Sequence, residues 1–182
     1  MTHLCDAELR DRVDEYRNPD MEAQAVPHGV ILLVEDDARL AELTTAFLLK
    51  GEGGPNEVVV ASDGVEAIDY LHDPGRGASE MPHLVLLDLN MPRLDGFGVL
   101  KKMRAEERTM FVPVVMLTSS DRSVDVRTAY SLGANGYLDK MPSRVSWEEM
   151  VQTVARFWVV MNMTPYSLAG QDNGFARRTR PS

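Results

Sequence analysis

Apolar residues in this chain come in short unbroken runs, and each run ends in a polar residue. Val30-Ile31-Leu32-Leu33-Val34 leads into Glu35-Asp36-Asp37, and Leu84-Val85-Leu86-Leu87 into Asp88. Val114-Val115-Met116-Leu117 leads into Thr118, and Gly136-Tyr137-Leu138 runs through Asp139 to Lys140. Runs of this length, set between helical patterns, predict strands buried on both faces, as in a parallel sheet. Val58-Val59-Val60 predicts one more strand. Between the strands the period lengthens. Leu40, Leu43 and Phe47 share one helical face, and Gly51 to Pro55 ends that helix. Asp63-Gly64-Val65-Glu66 is a capping start for a helix through Leu71. A further helix opens near Asp121, with Gly133 at its end. Ser146-Trp147-Glu148-Glu149 has capping-box spacing, and Trp147, Val151, Val154, Trp158 and Met161 continue at helical spacing.

Five alternating strand and helix units predict a parallel sheet with helices on both faces. Such sheets bind ligands outside the carboxyl ends of their strands, near the switch in strand order. That edge would gather three acids, one hydroxyl and one ammonium, a set suited to a divalent cation and a phosphoryl group. The domain is expected over residues 29–161. Residues 1–28 form an N-terminal extension with a possible helix from Ala7 to Tyr16, its stripe Leu9, Val13 and Tyr16, broken by Asn18-Pro19 and Pro27. The His72 to Pro82 connection is long for this architecture. After Thr164-Pro165 the chain is rich in Gly and Arg, so 162–182 is expected to be a flexible tail. It is too short to build an output domain.

Charge and composition narrow the function. The formal net charge of −9 argues against non-specific nucleic-acid binding. It is spread unevenly, with −4 in residues 1–28, −7 in 29–161 and +2 in 162–182. No apolar run is long enough to span a membrane and the start lacks a signal pattern, so a cytoplasmic location is expected. The lone Cys5 allows no internal disulfide. His3, His28, His72 and His83 have no metal-ligand spacing and are expected to face solvent.

The runs VILLVEDD, LVLLDLNMPRLDG, VVMLTSS and GANGYLDK, in this order and spacing, resemble the receiver domain of bacterial two-component response regulators. The resemblance implies a flavodoxin-like, doubly wound α/β fold with five parallel strands in the order 2-1-3-4-5. It implies that Asp88 accepts a phosphoryl group from a sensor histidine kinase and that the protein signals by conformational switching and protein binding. Its only catalysis would be its own phosphotransfer and dephosphorylation. Asp36 and Asp88 would ligate Mg²⁺ (or Mn²⁺) directly, Glu35 mainly through water, and Asn90 through its backbone carbonyl. Lys140 and Thr118 would contact phosphoryl oxygens, Tyr137 would be the aromatic switch, and Asn90 and Ser120 would line the rim that the attacking water crosses.

The long loop before the third strand, Asp88-Leu89-Asn90 and Phe157-Trp158 resemble the small regulators paired with bacterial phytochromes. This implies a light-sensing histidine kinase, a bacteriophytochrome, as partner. It also implies a homodimer through the fourth helix, fifth strand and fifth helix, with Phe157 and Trp158 at the interface. Phe157, Trp158 and Val159 are consecutive and cannot share one helical face, so at least one should be exposed.

One departure stands out. Receivers usually carry proline directly after the lysine, joined by a cis bond, whereas here the order is Lys140-Met141-Pro142. A cis Lys140–Met141 bond would cost about 2.5–4 kcal/mol, so the sequence leaves open how Lys140 is aimed. The insertion supports an alternative, a phosphorylation-independent pseudo-receiver acting as an interaction module. The intact acidic set weighs against it, because an unused cation site is an electrostatic cost. An aspartyl phosphatase would show Asp-x-Asp, and Asp88 is followed by Leu89-Asn90.

Overall fold

The computed structural model describes residues 29–51, 57–77, 80–120, 122–141 and 143–165. The possible Ala7–Tyr16 helix, Cys5, His3, His28 and most of the Gly- and Arg-rich tail lie outside them. The apolar runs form β1 (Val30–Val34), β2 (Glu57–Ala61), β3 (Leu84–Asp88), β4 (Val114–Thr118) and β5 (Gly136–Asp139). All pair in parallel, in the order β2-β1-β3-β4-β5. The order reverses between β1 and β3, which therefore end side by side, with Val34 opposite Leu87. Thr118 lies opposite Asp139 at the same edge.

Alternate strand residues point to opposite faces of a sheet, and here each face has its own core. Leu32, Val34, Val85, Leu87, Val114 and Met116 pack under α2 (Gly64–His72), α3 (Gly96–Ala105) and α4 (Ser123–Ser131). Ile31, Leu33, Leu84, Leu86, Val115 and Leu117 pack under α1 (Ala38–Lys50) and α5 (Trp147–Ala155). Apart from α4, which follows Arg122 without a side-chain cap bond, the helices start where side chains can satisfy their first N–H groups. Asp37 accepts from the N–H groups of Arg39 and Leu40 at 2.9 and 3.1 Å. Asp95 caps α3 and Ser146 caps α5 in the same way. Gly133, at φ +93°, follows the end of α4 in the left-handed conformation glycine tolerates.

Three expectations are corrected. The buried face of α1 is Ala41, Thr44 and Leu48, while Leu43 is 46 % exposed. Small residues let the helix approach the sheet and α5, and the Thr44 hydroxyl accepts from Trp147 Nε1 at 3.2 Å. A stripe chosen for large apolar residues therefore falls about one position off. The last helix does not keep its period to Met161. After Ala155 it widens to a π-helical turn, Arg156–Met161, which buries Val159 and leaves Met161 exposed. Gly29 makes room for this turn, since a Cβ there would lie 2.1 Å from Val159 Cγ1.

The third correction concerns the histidines. His83 is buried, not solvent-facing. It ties β1 to β3 at their amino ends: Val30 N–H donates to Nδ1 at 3.3 Å, and His83 N–H donates to Val30 O at 2.8 Å. Half-buried His72 pairs with Glu106 at 3.0 Å. Burial lowers the His83 pKa. A group with a depressed folded-state pKa favours folding fully above its unfolded value, about 6.5 for histidine. That contribution is lost as the pH falls toward the folded-state pKa. His83→Gln, which keeps an acceptor but does not titrate, is expected to show a shallower loss of urea stability below about pH 6.5. Parallel pH profiles of wild type and variant would refute this.

Candidate functional site

The strand-end acids meet where β1 and β3 end. Glu35 follows β1, its N–H held by Ala61 O at 3.0 Å, and its side chain is buried. Asp37 turns back to cap α1, the structural role such an acid commonly has. Asp36, between them, is exposed. Asp88 ends β3, is buried, and accepts from Leu89 N–H through Oδ1 at 2.7 Å. Oxygens of Glu35, Asp36 and Asp88 all lie within 4.8 Å of one another.

Lys140 reaches into this cluster from the end of β5. Its Nζ lies 2.6 Å from Glu35 Oε2 and 3.0 Å from Asp88 Oδ2. Its backbone N–H donates to Thr118 O at 2.9 Å. The inserted Met141 leaves this reach intact. Its side chain projects into solvent, 79 % exposed, and its N–H donates to Asp139 Oδ1 at 2.8 Å. No cis peptide bond occurs among the described residues.

Three carboxylates against one ammonium leave the ionised cluster two charges negative. Burial pushes the Glu35 carboxyl above its usual range. The hydrogen bond and charge of Lys140 pull it back, while Asp88 pushes it up. An excess of hard oxygen donors on partly buried acids is the donor set Mg²⁺ or Mn²⁺ prefers, so the residues present fit a divalent cation.

Beside the acids, Thr118 is fully buried at the end of β4, and its Oγ1 accepts from Ser120 N–H at 3.2 Å. Tyr137 OH donates to Ser120 O at 2.9 Å, and its ring packs against the core under α2, α3 and α4. The Ser120 hydroxyl donates to Asp125 Oδ2 at 2.6 Å, tying it to the first turn of α4. Asn90 is exposed just beyond Asp88. Farther away, Phe157 and Trp158 meet edge to face, with centroids 5.0 Å apart. Phe157 is 46 % exposed, Trp158 packs on the α1–α5 core, and Met161 is exposed.

Some contributors escaped the sequence reading. Asp125 carries no motif. Gly96 lies in the Leu94-Asp95-Gly96 run, and a Cβ on it would stand 2.3 Å from Asp88 O. The glycine within that run was the available signal. Asp63 and Arg93 pair across two loops, a contact no local pattern marks.

A doubly wound parallel sheet whose strand ends bring together these acids, a threonine and a lysine defines a receiver domain of two-component signalling. The chain belongs to the response regulator receiver domain family, whose model matches residues 31–154. It is 38 % identical over 137 residues to the probable methanogenesis regulatory protein FilR2 of Methanothrix harundinacea, covering 75 % of this chain and 87 % of that one. It is 36 % identical over 143 residues to the response regulator Rcp1 of Synechocystis sp., covering 76 % and 95 %. The Mn²⁺-bound crystal structure of Rcp1 matches with a TM-score of 0.65 at 33 % identity, over 75 % of this chain and 99 % of that one. The phosphorylated cyanobacterial phytochrome response regulator RcpA matches with a TM-score of 0.68 at 34 % identity, over 76 % and 99 %. The resemblance to phytochrome-associated regulators therefore holds in sequence and in structure.

Proposed function

We propose that this receiver takes a phosphoryl group from a phosphohistidine of a sensor histidine kinase onto Asp88. The observation that carries the reading is Lys140 Nζ held between Glu35 and Asp88, at 2.6 and 3.0 Å, beside the Asp36 carboxylate. A carboxylate oxygen of Asp88 attacks phosphorus, a P–O bond forms, the P–N bond breaks, and its electron pair leaves on the imidazole. Asp36, Asp88 and the Asn90 carbonyl would hold Mg²⁺ or Mn²⁺, with Glu35 acting through water. Bound there, the cation supplies positive charge to the phosphoryl oxygens. Lys140 supplies a second positive charge.

Thr118 Oγ1 accepts from Ser120 N–H, so its own proton stays available for a phosphoryl oxygen. Tyr137 is bonded to Ser120 O, so a shift of the Thr118–Ser120 segment would reach the Tyr137 ring. This is the switch. Asn90 and Ser120 stand at the rim and would tune the entry of the hydrolytic water. Likeness to Rcp1 and RcpA supports a phytochrome-type kinase as partner, and a cytoplasmic setting goes with this reading. Among the described residues no helix is long and apolar enough to cross a membrane.

Treatment with acetyl phosphate and Mg²⁺ is expected to add one phosphoryl group by intact-mass measurement, and excess chelator to prevent it. Equal labelling with and without chelator would refute the cation requirement.

Output would leave through α4, β5 and α5, with a homodimer formed on the exposed Phe157 and Met161 surface and Trp158 behind it. Phosphorylation would shift the dimer population by a coupling of about 1–3 kcal/mol. Phe157→Ala suits the test because Phe157 is exposed. Sedimentation should show weaker association in the variant and stronger association of the wild type with phosphodonor. A monomeric wild type in every condition would discard the dimer.

A further inference from the structure

The loop from Leu89 to Asp95 starts beside the acceptor and ends at the cap of α3. It is pressed between two backbones. Gly96 N–H donates to Leu89 O at 3.0 Å, and a Cβ on Gly96 would meet Asp88 O at 2.3 Å and Leu89 Cα at 3.0 Å. On the other side, a Cβ on Gly64 would meet Leu94 O at 2.3 Å, so the loop lies against the first turn of α2. At the loop's tip Arg93 has φ +65°, and it is the non-glycine residue with positive φ among the described residues. Side-chain-bearing L residues disfavour this conformation, which persists where the surroundings over-determine it.

The surroundings here are Asp63. Its carboxylate is buried and does two things at once. Oδ1 accepts from Val65 and Glu66 N–H at 2.8 and 3.1 Å, capping α2. Oδ2 pairs with Arg93 Nη2. A carboxylate fixed on a helix terminus thus grips the tip of the loop whose first turn carries Asn90.

We propose that Arg93 and Asp63 are positioning residues for the divalent-cation site. Through the loop they hold the Asn90 carbonyl where it can join Asp36 and Asp88 on one ion. The inference rests on the cation site proposed above. Neither residue belongs to the Glu35, Asp36 and Asp88 cluster, so their effect passes through the backbone. The plainer account is that Asp63 caps a helix and Arg93 decorates a surface.

Two variants separate these accounts. Asp63→Asn keeps a capping oxygen and removes the charge that holds Arg93. Arg93→Gly removes the pair but relieves the positive φ, and Asp63 keeps its bonds from Val65 and Glu66 N–H, so the thermal midpoint should stay close to that of the wild type. The full chain would be titrated calorimetrically with Mg²⁺ and with Mn²⁺, and the thermal midpoint read on the same samples. Each variant is expected to bind both ions about tenfold more weakly, at a midpoint close to wild type for Arg93→Gly. The double variant should lose no more than either single one, because both remove the same pair. Wild-type affinity in both variants, with the wild type binding normally, would overturn the positioning role alone. So would losses that add in the double variant. A wild type that binds neither ion would overturn the cation site and this inference with it.

Discussion

Asp88→Asn is expected to abolish phosphorylation by acetyl phosphate and by the cognate kinase while leaving the fold in place. The amide is nearly isosteric with the carboxylate but is no nucleophile toward phosphorus, so loss should be complete rather than graded. The fold should survive because Asn Oδ1 can still accept from Leu89 N–H, the 2.7 Å bond that Asp88 makes. Lys140 loses one partner yet keeps Glu35 at 2.6 Å, so its ammonium is not left buried and unpaired. Intact mass, peptide mapping and a thermal midpoint on the same sample check all three points. A wild-type phosphopeptide that excludes residue 88 would sink the assignment.

Why the acids could be found in the sequence is a matter of geometry. A strand buried on both faces has nowhere to put a charge, so the first acid after VILLV or VLL marks the sheet's edge. These run ends point the same way once the strands are parallel, although β5, at the sheet's edge, is only partly buried. The strands were therefore legible, and the site with them. Helix faces were less so. On α1 the contact surface is set by what lets the helix sit close, Ala41 and Thr44, and size-weighted patterning looks past both. The α3 helix, Gly96–Ala105, was implied by the alternation but not located. It begins Gly-Phe-Gly, and glycine is a weak helix former; its buried Val99, Leu100 and Met103 make a short stripe.

Contacts between distant loops were not legible at all. The Asp63 pair with Arg93 and the burial of His83 depend on what folding brings near, and the short-range Ser120 bond to Asp125 depends on where α4 begins. Lys140 falls between these cases. Its motif marked it, while the Met141 insertion left its direction open. The structure resolves the direction by turning Met141 outward and anchoring both backbone N–H groups, Lys140 on Thr118 O and Met141 on Asp139 Oδ1.

Lys140 is also where stability and chemistry are expected to pull apart. Lys140→Ala leaves Glu35 and Asp88, both buried, without the ammonium they share. Removing one partner of a buried ion pair typically costs about 3–5 kcal/mol. The lower end applies here, because Glu35 can take up a proton: Lys140 is what now pulls its carboxyl back down. In chelator the variant should therefore unfold at clearly lower urea. Added Mg²⁺ should restore much of the loss, because a cation that binds the folded state stabilises it by mass action and meets a more negative site. Phosphotransfer should not recover with it. A cation on the carboxylates does not replace an ammonium aimed at a phosphoryl oxygen, and losing one such donor slows reactions of this kind about 10²–10³-fold. Urea midpoints with and without Mg²⁺, alongside labelling rates from acetyl phosphate, separate the two roles. Full stability in chelator would mean that Lys140 does not neutralise the acids, and a wild-type labelling rate would remove it from the chemistry.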